Sequence, residues 1–175
     1  MMRSSWLVAF VLMVSSSQPT VFAQQMEHGS PSVPSTSLTI HTYEGKSLSL
    51  TPDELAALPH KSVTVFNAHS KANETYSGVP LVDLLAKVGV PLGEAVRGKL
   101  FMIGIVAQGT DGYGALYSLA EVDPSIHTGD VIVADKVDGQ KLTKDGAFKM
   151  VSSEERRPAR WVRNLTSLSV VQVAP

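Results

Sequence analysis

Beyond residue 37 apolar and polar positions alternate along most of the chain, and a period of two predicts strands. Leu38-Thr39-Ile40-His41-Thr42-Tyr43 and Ser47-Leu48-Ser49-Leu50 alternate on either side of Glu44-Gly45-Lys46, which reads as a hairpin or two short strands joined by a turn. Residues 61–68 alternate about Val63 and Val65, and Glu74-Thr75-Tyr76 reads as their partner across a polar turn at Lys71-Ala72-Asn73. The run Leu100-Phe101-Met102-Ile103-Gly104-Ile105-Val106-Ala107 is too continuous for a half-exposed strand. It predicts a strand central in a sheet, turning at Gly109-Thr110-Asp111-Gly112 into residues 113–117. Val131-Ile132-Val133-Ala134 predicts a further buried strand, Asp138-Gly139 a turn, and residues 147–151 and 168–173 two more strands.

Helical signals are fewer and shorter. Thr51 is placed to cap a helix, with Pro52 at its first position, Glu54 completing a capping box and Pro59 stopping it after Leu58. Residues 80–88 carry apolar side chains at helical spacing between Pro80 and the stop at Gly89, and Ser118-Leu119-Ala120-Glu121-Val122 is one capped helical turn. Strands outnumber helices, and no period of 20 to 50 residues recurs that would indicate a solenoid or propeller.

The first 37 residues follow neither pattern. Arg3, the apolar run 6–14, and Val21-Phe22-Ala23 read as a secretory signal of the Sec type cleaved after Ala23. An apolar core this short falls well below the ~20 residues a helix needs to span a bilayer, so no permanent membrane anchor is expected. Residues 24–37, rich in serine and proline, read as a flexible tether, and residues 38–175 as the domain. The expected location is therefore the periplasm or the exterior. A chain of 175 residues, 43% hydrophobic, supports one compact core rather than two. Lys and Arg total 15 against 16 for Asp and Glu, which provides no field for a nucleic-acid backbone. The absence of cysteine excludes disulfides, thiolate metal ligands, iron–sulfur clusters and cysteine nucleophiles.

Candidate chemistry concentrates in Glu154-Glu155-Arg156-Arg157-Pro158-Ala159-Arg160-Trp161-Val162-Arg163. Arginine forks bind oxyanions in pairs of bonds, and Trp161 can stack on a ring or a guanidinium. A phosphate, sulfate or pyrophosphate site is one reading, and a solvated loop whose arginines pair with carboxylates of the fold is the other. Asp111-Gly112-Tyr113 is a hairpin turn that could also present a hydroxyl to a ligand. His28, His41, His60, His69 and His127 lack the spacing of a metal site, so none is assigned, and no phosphate loop or serine-nucleophile elbow is present.

Three segments in order, Tyr76-Ser77-Gly78-Val79-Pro80-Leu81-Val82-Asp83-Leu84-Leu85, Thr110-Asp111-Gly112-Tyr113 with Tyr117-Ser118-Leu119-Ala120-Glu121-Val122-Asp123, and Arg157-Pro158-Ala159-Arg160-Trp161-Val162-Arg163, resemble the oxidoreductase molybdopterin-binding domain of the sulfite-oxidase type. The resemblance covers residues 38–173 and implies an α+β, mainly β fold with short helices, its pterin and phosphate held among loops. It implies that Arg157 and Arg160, with Trp161 and Arg163, are cofactor-binding, and it leaves His69, Asp111 and Tyr113 as candidate catalytic residues. It also implies a molybdenum-ligating cysteine about ten residues before Tyr76, where this chain has Phe66-Asn67-Ala68-His69-Ser70. None of these side chains combines the charge and softness of a thiolate. The expected function is a binding module on a degenerate cofactor site, without a resident cofactor, for an anionic small molecule or cofactor-like ligand. The alternative is a molybdopterin-dependent oxidoreductase with a non-cysteine metal ligand and a redox or protein partner.

Overall fold

The computed structural model describes residues 33–68 and 70–173. The secretory signal, most of residues 24–37, and His69 lie outside the described residues. Ten strands run in chain order: β1 (Leu38–Thr42), β2 (Ser47–Leu50), β3 (Lys61–Asn67), β4 (Ala72–Pro80), β5 (Ile103–Gly109), β6 (Gly114–Ser118), β7 (Val131–Val137), β8 (Gln140–Lys141), β9 (Lys149–Ser152) and β10 (Leu165–Gln172). Three short helices, α1 (Pro52–Ala56), α2 (Leu81–Lys87) and α3 (Leu119–Val122), join them in a sheet-rich α+β arrangement.

The strands form two sheets. One has the order β2-β1-β10-β5-β6; the other has β3-β4-β7-β8, with β9 also paired to β7. Hairpin pairs are antiparallel, as the alternating segments predict, whereas β1 and β10, from opposite ends of the chain, pair in parallel. The expected capping box forms at the start of α1, where Thr51 and Glu54 exchange bonds, and the capped turn at Ser118 closes as a second box with Glu121 at the start of α3. The run at 100–107 departs from expectation. Gly98–Met102 is a 3-10 turn with Phe101 and Met102 exposed, and the strand starts only at Ile103, where burial begins. From there β5 is central, flanked by β10 and β6.

Two apolar clusters hold the sheets. The larger joins Ile40, Ile105, Leu168, Leu84 and Leu85 between the first sheet and α2. The smaller, on the far face of the second sheet, comprises Val63, Val65, Tyr76, Ile132, Ala134, Val151 and Trp161. Strand β7 feeds both: Val131 and Val133 point to the larger cluster, Ile132 and Ala134 to the smaller. Burial on two faces is why its sequence is an unbroken apolar run instead of an alternating one. Gly78 allows the close approach of β4 to its neighbour β7, since a Cβ there would collide with the Val133 carbonyl, and the pairing register shifts at this point. Asp138 and Gly139, both at positive φ, close the tight turn from β7 to β8.

Candidate functional site

A cavity of about 940 Å³ lies beside the smaller cluster. Its walls come from the turn end of the β3–β4 hairpin, the β7–β8 turn, residues 142–145, and segment 158–163. Period-two geometry on β4 puts Glu74 and Tyr76 on one face, and β9 contributes Lys149 from its buried first position.

The deep wall is a continuous hydrogen-bonded chain. Lys149 Nζ donates to Asp145 Oδ2 at 2.7 Å and to the Tyr76 hydroxyl at 2.9 Å. The Tyr76 hydroxyl donates to Glu74 Oε2 at 2.7 Å. Glu74 also accepts from Asn67 Nδ2 at 2.9 Å and from Ser70 Oγ at 2.8 Å. Lys149 is nearly enclosed, its side chain 8% exposed, and its ammonium lies 4.6 Å from the centre of the Tyr76 ring and 5.4 Å from that of Trp161. The two rings meet edge to face at 5.6 Å, and Trp161 Nε1 donates to the Ser152 carbonyl at 3.1 Å, so both aromatics are fixed. Partial burial pushes the Glu74 carboxyl up, but the bonds from Asn67, Tyr76 and Ser70 and the charge of Lys149 outweigh it and hold the group below the ordinary carboxylate range. Burial and then the Glu74 bond push the Tyr76 phenol well above its ordinary value, so it remains a donor.

The mouth has the opposite sign. Lys141, Lys144 and Arg163 line the cavity from exposed positions, and Arg163 Nε stands 4.0 Å from Asp145 Oδ1 with its side chain 67% exposed. The single exposed carboxylate lining it, Asp138, accepts the Thr75 amide at 2.9 Å.

The arginine-rich segment does not act as one unit. Trp161 and Arg163 line the large cavity, and Arg157 is exposed beside it, outside its lining. Arg160 turns into a separate cleft of about 170 Å³, where it pairs with Glu155, bonds Glu121 at 3.0 Å and the Leu116 carbonyl at 3.2 Å, and lies 4.7 Å over the Tyr117 ring. Burial draws the Arg160 charge down, yet Glu155 and Glu121 overcome this and raise its pKa. Asp111 Oδ1 accepts the Tyr113 amide at 2.9 Å inside the β5–β6 turn, and the Tyr113 hydroxyl donates to the Ala159 carbonyl, latching that turn onto the arginine segment. Neither Asp111 nor Tyr113 lines the cavity. Glu74 and Tyr76 enter the sequence reading only as strand and motif positions, and Lys149 and Asp145 are not singled out by it. A lysine between Phe148 and Met150 in a buried strand is the one signal that marks them, because an ammonium is buried only with partners.

The two sheets and few short helices make a sheet-rich α+β fold. Among solved structures it is similar to one titled the crystal structure of the sulfane dehydrogenase SoxCD from Paracoccus pantotrophus, with a TM-score of 0.61 and 21% identity. The match covers 79% of this chain and 38% of the other, so this chain corresponds to well under half the length of that one. A likeness at this identity shows the fold. No protein-family pattern matches the chain, and no curated protein matches it either.

The donor set of the cavity does not fit the thiolate-bound molybdenum centre that the fold resemblance implies. The chain has no cysteine, and no three of His, Asp and Glu converge as metal ligands among the described residues. The carboxylates at hand, Glu74 and Asp145, are hard ligands already committed to internal hydrogen bonds.

Proposed function

We propose that this chain is a binding module on a sulfite-oxidase-type fold, which takes an anionic small molecule in the large cavity and holds no resident molybdenum. One observation carries the reading: Lys141, Lys144 and Arg163 surround the mouth of a cavity walled by Trp161, while the groups a metal would need are bonded to one another. Its volume, about 940 Å³, lies within the ~300–1,000 Å³ typical of small-molecule sites. The lining holds four cations, Lys141, Lys144, Lys149 and Arg163, against three carboxylates, Glu74, Asp138 and Asp145, a small net positive charge that favours an anion. Arg163 and Trp161 are the members of the arginine segment that serve the ligand, and Arg160 holds the segment in place. Export by the secretory signal agrees with this reading, since a chain that crosses the membrane unfolded carries no cofactor inserted beforehand.

The test is the molybdenum and pterin content of the protein purified from its native host, by elemental analysis and by pterin fluorescence after oxidation. Both are expected to be far below one per chain. Values near one would overturn the proposal and favour the oxidoreductase alternative.

A further inference from the structure

We infer that the outer face of the first sheet, β2-β1-β10-β5-β6, is an interface on which a second copy of this chain docks face to face. No residue of these strands lines the cavity, so the inference stands apart from the binding reading.

Each strand of this sheet sends alternate side chains into the larger cluster, Ile40, Ile105 and Leu168 among them, and the intervening ones outward. Near the β6 edge the outward side is apolar. Leu116, 57% exposed, and the half-buried Val171 lean over Gly104, where a Cβ would lie 2.9 Å from Leu116 Cδ1 and 3.6 Å from Val171 Cγ2. Val106, opposite Leu116 in the pairing register, lies beside them. Toward β1 and β2 the face is made of hydroxyls, Thr39, Ser47, Ser49, Ser167 and Ser169, with Thr39 Oγ1 and Ser49 Oγ 3.2 Å apart. The five strands contain no Lys, Arg, Asp or Glu at any position, whereas the strands of the other sheet carry Lys61, Glu74, Asp135, Lys136, Lys141 and Lys149. Exposed sheets that stay single are usually guarded by charge, above all on their edges, and this one is not.

The chemistry of the face selects its own duplicate. A hydroxyl both donates and accepts, so a serine and threonine surface can hydrogen-bond to a copy of itself. Two-fold docking sets the same patch against itself, and here it brings no like charges together. A nucleic acid or an anionic lipid surface would require cations, which these strands lack. Stacking is favoured over strand addition, because Pro158–Arg160 packs against β6 and Arg160 Nη1 bonds the Leu116 carbonyl at 3.2 Å. Strands ~4.8 Å apart and residues ~3.3 Å apart give five strands of about five residues a projected face of roughly 400 Å². Two copies then bury on the order of 1,000 Å² of accessible surface, the threshold of a specific interface, so the dimer should be reversible rather than obligate.

The experiment is sedimentation velocity of the full chain from about 1 µM to about 500 µM, the range in which a dimer of micromolar affinity forms and dissociates. The mass is expected to rise from one chain toward two. Raising the salt from about 0.15 M to about 1 M should not weaken the dimer, because contacts between apolar and hydroxyl groups are not screened. L116K sets like charges across the contact and should remain at the mass of one chain throughout, with its circular dichroism unchanged because the side chain it replaces is exposed. S169K, from the middle strand of the face, should do the same, and decides the matter where L116K does not fold. A wild type that stays at the mass of one chain at the highest concentration overturns the inference. So does a dimer that persists in the folded lysine variants, which would lie on another surface, or one that dissociates in high salt.

Discussion

Arg160 and Arg163 are three positions apart on one segment, yet they sit in opposite electrostatic settings. Arg160 faces a narrow cleft and is satisfied by Glu155, Glu121, a carbonyl and the Tyr117 ring. Arg163 faces a wide cavity, with only a 4.0 Å approach to Asp145. The 3-10 turn Pro158–Arg160 and the buried Trp161 between them send the two side chains to different sides. A cluster of like charges in sequence is therefore not a cluster in function. What a guanidinium can offer a ligand depends on whether the fold has already consumed its donors.

The largest effect is expected inside the cavity. K149M removes the ammonium that joins Asp145 to Tyr76, leaving a partly buried carboxylate with only the distant Arg163, and should cost about 3 kcal/mol in urea unfolding. A loss below about 1 kcal/mol would mean that water already screens the pair. W161A should cost a similar ~3 kcal/mol, because it removes ring packing against Tyr76 and strands the Ser152 carbonyl. Since both substitutions act on Tyr76, the double variant should lose less than the two singles together, and strict additivity would break the assignment of one shared network.

On the cleft side the effects are smaller. R160Q breaks two bridges made by a side chain 37% exposed and should cost about 1 kcal/mol. Affinity of the cavity for inorganic phosphate should not change in this variant, and a several-fold loss would show that the two regions are coupled.

Much of the local structure was legible in the sequence, and the reason is that it depends on neighbours along the chain. The Thr51–Glu54 and Ser118–Glu121 boxes, the β3–β4 hairpin and the Asp138-Gly139 turn are all decided within a few residues. The parallel pairing of β1 with β10 and the joining of β4 to β7 bring distant segments together, and no local pattern encodes them. The site divides in the same way. Trp161 and Arg163 were visible as part of a dense run, whereas Glu74 and Tyr76 from β4, Asp145 from the loop before β9 and Lys149 from β9 meet only in the folded chain. The segregation of Arg160 from Arg163 was hidden because each arginine's partners lie far away in sequence, Glu121 for one and Asp145 for the other.

Acid should weaken both regions. Glu74 on the cavity side and Glu121 in the cleft are held below the ordinary value of 4.5, in each case by bonds that outweigh partial burial. Below that value the unfolded chain binds protons that the folded chain does not, so stability falls as pH drops and is complete only above 4.5. Urea unfolding from about pH 6 to about pH 3 should show this decline, with a shallower slope in E74Q, where one of the two groups no longer titrates. An unchanged slope would mean that the Glu74 bonds do not outlast solvent competition.

The smallest stability effect is the most informative for function. Arg163 is 67% exposed and its one carboxylate neighbour is at the outer limit of an ion pair, so R163Q should change unfolding free energy by less than about 0.5 kcal/mol. The same substitution removes a rim cation, and phosphate affinity should fall several-fold. R160Q should give the reverse pair of results, with stability lost and affinity kept. This double dissociation separates an arginine that builds the segment from one that the segment displays. If R163Q lost stability as R160Q does, Asp145 would be its working partner, and the cationic mouth would be reduced to the two lysines.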